Sequence, residues 1–450
     1  MQMKKILTII MSLVCLIVIT SCNDASLGEE HGSNIKTTDV PFVGKAEVEI
    51  VKIDNFTSST TWTTFRMNDE TYYGITTMEG DIVGYIDSAG SAERSDFVKG
   101  FAYTKTTNGD YYIVSSTGDI VTSSVSKGFD DIIAYGEYEN GICFLTRTHK
   151  KDFNDNYYVY QMVDYIGNPI SEFTSDKEYR YGYYCEEGIF ALSETQGNSF
   201  GDDYFFFNMT NNFSFEIEEI LKIQEIIFDS GLAIVQTHHG TPTIIDSTDG
   251  STSYISDAPS VKPIYERYRD DDEYFSPFID GKSIICLHNH YDSHSDEAIY
   301  DLFCYNTNGS VDYINYYKDN MRNGSSWRCD DYRFDDVSGN LLLHLTGADD
   351  LKYFAIISQD NKPVTEPIAY DGQISTIISN DRFNVGIGSD ICVYDGKGKL
   401  VYKLSDIGGT RISDYNNNLA IVDNVKCVDL NGKTVFNKLN MKPSILMNIK

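Results

Sequence analysis

From about residue 45 onward, short runs rich in Val, Ile, Tyr, Phe and Thr alternate with clusters of Asp, Asn, Ser and Gly. Such runs bounded by turn-forming residues predict strands, and long helical periodicity is nearly absent. Residues 215–228, FEIEEILKIQEIIF, fit either a helix or two alternating strands, and the pattern leaves both open.

Several turns share one layout: an apolar strand ends in Asp or a related polar residue, two or three turn residues follow, usually with Gly or Asn, and a new strand begins. Gly84-Tyr-Ile-Asp87-Ser-Ala-Gly90, Asp164 to Gly167, Asp246 to Gly250, Asp395 to Gly398 and Asp429 to Gly432 show it clearly. Looser copies run from Ser115 to Gly118, Asn208 to Asn211, Asn306 to Gly309 and Ser358 to Asn361. Asp and Asn cap their own turns, and Gly supplies the positive φ the turn requires. The marks fall about 43 residues apart, the size of one four-stranded propeller blade in known repeats. A second element precedes many of them: Gly100-Phe-Ala-Tyr103, Gly141-Ile-Cys-Phe-Leu145, Gly188-Ile-Phe-Ala-Leu192, Gly231-Leu-Ala-Ile-Val235 and Asn418-Leu-Ala-Ile-Val422.

Two linked elements in constant order predict an all-β chain, a β-propeller of about seven or eight four-stranded blades. An irregular β-sandwich or tandem β-domains are the alternative, because Asx-Gly hairpins occur in any antiparallel protein. A closed ring would remove exposed sheet edges, with residues 46–53 completing the blade formed around Lys433 to Phe436. Here the chain resembles WG-repeat-like and other β-propeller lipoproteins of the Bacteroidetes, most closely at residues 84–90 and 231–250. It departs from them in lacking the Trp-Gly dipeptide, since Trp62 precedes Thr63 and Trp327 precedes Arg328.

The N-terminus reads differently. Lys4 and Lys5 precede the apolar residues 6–19, a stretch too short to span a bilayer comfortably and typical of a secretory signal. It ends in Ile19-Thr20-Ser21-Cys22, which resembles the bacterial lipobox; the resemblance implies diacylation at Cys22 and a bacterial outer-membrane lipoprotein, and it allows surface display. The organisation expected is a signal peptide at 1–21, a lipidated flexible tether at 22–44 and one propeller domain at 45–450. Two acyl chains suffice for stable anchoring.

With 67 Asp+Glu against 36 Lys+Arg, the formal net charge is −31, and signal removal takes away two further lysines. A charge this negative repels phosphate backbones and anionic headgroups, so nucleic-acid binding and basic-patch membrane binding are disfavoured. The 33 Tyr and 24 Phe exclude disorder for most of the length.

Candidate chemistry is sparse. Seven Cys remain after Cys15 and Cys22, an odd number that forbids a complete intramolecular disulfide set; most sit in apolar strand runs, and Cys392 and Cys427 occupy matching positions that would permit an inter-blade bridge. The densest metal candidate is His288, His290 and His294 with Asp292, Asp296 and Glu297 nearby, read as a polar loop between strands. His238 and His239 are adjacent and would point to opposite faces of a strand. Asp152 to Asn156 and Asp414 to Asn418 begin like calcium loops but have Tyr157 and Leu419 where Gly is needed, and lack the closing Glu. No catalytic motif is present: neither Gly-x-Ser-x-Gly, a Walker loop nor His-Glu-x-x-His occurs. Ser88 and Ser247 follow Asp in turns and resemble Bacteroidetes O-glycosylation sites. The expectation is therefore a non-enzymatic envelope protein that binds a glycan or protein ligand, without a resident cofactor beyond a divalent cation at most. A glycan-acting hydrolase on the same scaffold is the alternative.

Overall fold

Each repeat folds as an antiparallel meander because its turns are closed from within. At residues 164–168, Asp164 Oδ1 accepts from the N–H groups of Ile166 (2.9 Å) and Asn168 (2.8 Å), while the Gly167 N–H donates to the Asp164 carbonyl (2.9 Å). The same two-on-one pattern recurs at Asp395 and Asp429, and with hydroxyl acceptors at Ser115 and Thr77. The structure, a computed structural model, describes residues 48–446 apart from 89–90, 139–140, 153–155, 196–201, 221–225, 237–241, 256–272, 276–277, 279–280, 293–296, 315–327, 335–339, 348, 359, 361 and 371–381.

Nine sheets follow one another along these residues, numbered here as blades 1 to 9: 48–87, 91–123, 131–175, 181–220, 232–254, 273–314, 328–369, 382–403 and 419–436. Six have their four strands in simple succession, and blades 5, 8 and 9 show three. In blade 9, the segment at Ile412–Ser413 pairs with Ile421–Val422 where a first strand belongs. The segment at 215–228, whose pattern fits helix and strands alike, begins within a strand, Phe213–Ile220.

The core is a chain of interfaces between successive blades. Trp62, Ile75, Phe97 and Val114 join blades 1 and 2; Ile113 and Phe144 join 2 and 3; Leu145, Tyr160, Phe190 and Phe207 join 3 and 4. Equivalent clusters join 4 to 5, 5 to 6, 7 to 8 and 8 to 9. Between blades 6 and 7, strand Glu297–Asn306 lies against strand Arg328–Phe334. The last cluster joins blade 9 to blade 1 through Phe56, Phe65, Ile82, Leu419, Ile421 and Phe436. That contact closes the ring: the fold is a β-propeller.

Closure repeats the geometry of the other seams. At four of these seams the turn glycine that precedes the outer strand seats on the preceding blade's outer region: Gly118 on Val83 and Gly84, Gly250 on Phe215, Gly398 on Thr365 and Ile368, Gly432 on Tyr402. At the seam, Gly80 seats on Phe436 in the same way, with φ +85° and an added Cβ only 2.7 Å from the ring. Any other residue would be both strained and in collision there. Hydrogen bonds from the Ile53 N–H to the Asn424 carbonyl (2.8 Å) and from Asn417 Nδ2 to the Phe56 carbonyl (2.6 Å) cross the seam as well. Each is a contribution of about 1 kcal/mol, whereas each fully buried large apolar side chain contributes about 1.5–3, so apolar packing dominates closure.

Three sequence expectations change in detail. The first repeat turn is Thr77 to Gly80; Gly84-Tyr-Ile-Asp87 instead belongs to strand Asp81–Asp87, the outer strand of blade 1, and leads into blade 2. Blade 1 thus gains its own four strands, and the described blades number nine. Residues 46–53 do not complete the last blade: Val48–Ile53 pairs with Thr60–Met67 in blade 1, and a fifth strand, Asn440–Leu446, is added to that blade beside Asp81–Asp87. Cys392 and Cys427 form no bridge; both are buried free thiols, as are Cys143, Cys185 and Cys304. Burial pushes the Cys143, Cys185 and Cys427 thiols up to about 12, which leaves them unreactive.

Candidate functional site

The meander sends alternate connections to opposite ends of every blade. Turns between first and second strands and between third and fourth strands share one end. There the carbonyls of Gly100, Gly188, Gly231 and Gly281 accept from the N–H groups of Ser116, Met209, Ser247 and Thr307. This is why a Gly-led strand and a capped turn recur together in the sequence. The same turns also link neighbouring blades. Glu187 accepts from Ser230 and Gly231 N–H (2.8 Å each), Asp229 accepts from Gly281 N–H (2.7 Å), and Lys99 pairs with Glu137 (2.9 Å). This turn face is committed to holding the ring.

The opposite end, the loop face, carries the irregular connections and a cleft of about 450 Å³ at blade 4. Its floor and walls are Ser193, Glu194 and Thr195 at the end of the second strand, Asp202, Asp203, Tyr204 and Phe205 at the start of the third, and Glu216 and Glu218 on the fourth. Alternation along strand Phe213–Ile220 turns Ser214, Glu216 and Glu218 to solvent while Ile217 is buried. Lys177 and Tyr179 arrive from the connection leaving blade 3.

That connection is rigidly held. Tyr160, fully buried, donates to the Lys177 carbonyl (3.0 Å) and accepts from the Tyr179 N–H (2.6 Å). Arg147 donates to the Tyr179 carbonyl (2.9 Å) and pairs with Glu178 (3.2 Å) and Asp131 (2.6 Å); Tyr111 and Lys105 also bind Asp131. The Tyr179 ring stacks on Phe205 with centroids 5.3 Å apart. Inside the cleft, Lys177 Nζ lies 3.0 Å from Glu216 Oε1, a hydrogen bond that raises the lysine pKa, and Thr195 donates to Asp202 Oδ1 (2.9 Å). Burial raises the pKa of both Tyr179 and Tyr204, which keeps them as neutral hydroxyls. One lysine faces five carboxylates, so the cleft carries a negative field bounded by hydroxyls and held on fixed strands.

None of the described candidates expected from the sequence lines this cleft. His288 and His290 are not in a loop but on strand Lys282–Asp292, opposite Tyr300 and Ile299, and the register slips between them. The strict alternation that would give i and i+2 one face is therefore interrupted at this pair. His294, His238, His239 and Cys22 lie outside the described residues. Asn416 to Leu419 is a two-residue hairpin turn with Asn417 and Asn418 at positive φ, not a cation loop; most of the Asp152 to Asn156 stretch is outside the described residues. Ser88 follows the outer strand of blade 1 and is half-buried, whereas Ser247 is 4% exposed, packed in the turn against Gly231. Among the described residues, no group of three or more His, Cys, Asp or Glu side chains is placed to hold a metal ion.

No family model and no curated protein matches the chain. Solved structures similar to it are of the propeller and WD40 kind. They include the computationally designed Ika8 protein (10% identity, TM-score 0.37, 79% of this chain and 98% of that one). The C-terminal WD40 domain of Sif2 matches at 13% identity and TM-score 0.34, covering 78% and 96%. BamB from Moraxella catarrhalis matches at 10% identity and TM-score 0.28, covering 56% and 80%. The fold assignment rests on the strand order and the closed chain of interfaces rather than on these distant likenesses.

Proposed function

We propose that the chain is an envelope-anchored binding protein: Cys22 carries the lipid, residues 23–44 form the tether, and the propeller presents its loop face to a glycan or protein ligand. The cleft at blade 4 carries this reading. It combines carboxylates, hydroxyls and one lysine on strands whose neighbours are pinned by Arg147 and Tyr160, the arrangement a site needs if it is to bind without reorganising. Its field favours ligands bearing amines or hydroxyls over phosphates, sulfates and uronates.

The test is retardation of the full chain in affinity gels containing neutral, amino-substituted and acidic polysaccharides, alongside basic and acidic immobilised peptides. Binding to the neutral or cationic members, weakened at least threefold by Glu216→Gln with Glu218→Gln, is the expected result. Binding confined to acidic members, or unaffected by the pair of substitutions, contradicts it. Release of reducing ends during the incubation would replace the binding reading with that of a glycan-acting hydrolase.

A further inference from the structure

A second feature lies at the rim, away from the cleft. Outer strands expose unpaired backbone groups, and proteins limit the hazard by keeping them short, charged or covered. In blades 2, 5, 6, 7, 8 and 9 they run only two to four residues. Blade 3 uses a longer one, Pro169–Ser175, that opens on proline and carries Glu172; the long strand of blade 4 carries Glu216, Glu218 and Glu219. The outer strand of blade 1, Asp81–Asp87, is seven residues long and has no charge between its terminal aspartates: DIVGYID. It has none of these protections except a cover, strand Asn440–Leu446.

That cover is not what closes the ring. Phe436 and Leu439, both ahead of the cover, are buried in the core cluster between blades 9 and 1; the cover's first residue bonds Gly80 through its N–H (2.8 Å), and only its Met441 packs, partly buried, at the edge of that cluster. Its ladder is parallel in a sheet otherwise antiparallel, and it is broken in the middle. Asn440 and Met441 face Asp81 and Ile82, then four steps along the cover match two along its partner before Ile445 and Leu446 face Gly84 and Tyr85. Pro443, in the break, has no N–H to give. A long, apolar acceptor edge is thus covered by a short, interrupted parallel strand.

We propose that Asn440–Leu446 is an exchangeable guard strand, and that the uncovered edge of Asp81–Asp87 takes the same strand from a second copy of this chain. The second copy is the fitting occupant because its guard carries the one sequence whose pairing with this edge the structure shows, and the exchanged residues 440–446 follow the buried closure residues Phe436 and Leu439 in both copies. Exchange preserves every ladder contact, so its equilibrium is set by concentration: the tethered guard wins when the protein is dilute, and paired copies appear when it is crowded.

The test uses the registered pair Asp81 and Asn440. The full chain carrying both Asp81→Cys and Asn440→Cys should close an internal disulfide when dilute, giving a monomer that migrates faster on non-reducing gels. Two singly substituted chains, Asp81→Cys and Asn440→Cys, mixed at high concentration and then oxidised, should give a disulfide-linked dimer. The yield should rise at least fivefold over a tenfold increase in concentration, and peptide mapping should place the linkage between the two introduced thiols, position 81 of one copy and position 440 of the other. An internal disulfide in the double variant with no mixed dimer at any concentration would overturn the exchange. Failure of the double variant to close would overturn the guard pairing itself.

Discussion

The two faces of the propeller are built to different rules. On the turn face, Asp164, Asp395 and Asp429 spend their carboxylates on their own turns, and Glu187 and Asp229 commit theirs to the next blade's amides. On the loop face at blade 4, Glu194, Asp203, Glu216 and Glu218 line an open cleft. Acidity alone therefore says nothing about role: the same residue type holds the ring at one end and forms a recognition surface at the other. What separates them is whether backbone N–H groups converge on the carboxylate.

If that division holds, the faces should respond oppositely to substitution. The largest effect is expected at Gly80→Val, which places a side chain against Phe436 at a φ suited to glycine. It should cost about 3 kcal/mol or more, read by chemical denaturation. Phe436→Ala, which empties the same seam, should cost about 3–5 kcal/mol by the same measurement. Glu187→Ala removes the acceptor of two backbone N–H groups and should cost about 1–3 kcal/mol. A small loss from all three would break the comparison on the turn-face side.

Glu186 sharpens it through pH. Glu186 is exposed as a residue, but partial desolvation of its carboxyl, then the neighbouring Glu137 and Glu187 carboxylates, raises its pKa. A carboxyl raised in the folded state binds its proton more tightly there than in the unfolded chain, so its contribution to stability falls as pH rises from the unfolded value through the folded one. Glu186→Gln should therefore be more stable than the parent at neutral pH, with the difference vanishing below the ordinary glutamate range. A variant less stable at neutral pH would contradict the crowding described. The smallest effect belongs to the loop face: Glu216→Gln with Glu218→Gln should change stability by no more than about 0.5 kcal/mol, while altering ligand retention.

The same contrast explains what is legible in the sequence. Turn-face chemistry is local, with the capping residue and its glycine three or four positions apart, so most turns can be read directly. Thr77-Met-Glu-Gly80 escapes because threonine does the capping, and Gly84-Tyr-Ile-Asp87 imitates the motif while running as an outer strand. The cleft is not legible. Its parts come from residues 177–179, 193–195, 202–205 and 216–218, and only the register of three strands and the neighbouring blade's connection bring them together. The one local signal is the alternation of Glu216, Ile217 and Glu218 inside the segment that fits helix and strand alike. Histidine density at 288–294 draws attention because it is visible in one dimension, yet the register slip between His288 and His290 is a property of the paired strand Glu297–Asn306.

Closure of blade 9 on blade 1 is the claim on which both faces depend, and amide hydrogen exchange at Ile53 tests it most directly. Its N–H is bonded to the Asn424 carbonyl across the seam (2.8 Å). A closed ring predicts protection at Ile53 comparable to that of Ala102 and Ile113 within blade 2, lost only as the whole propeller unfolds. Rapid exchange at Ile53 while blade 2 stays protected would show that the ring is open.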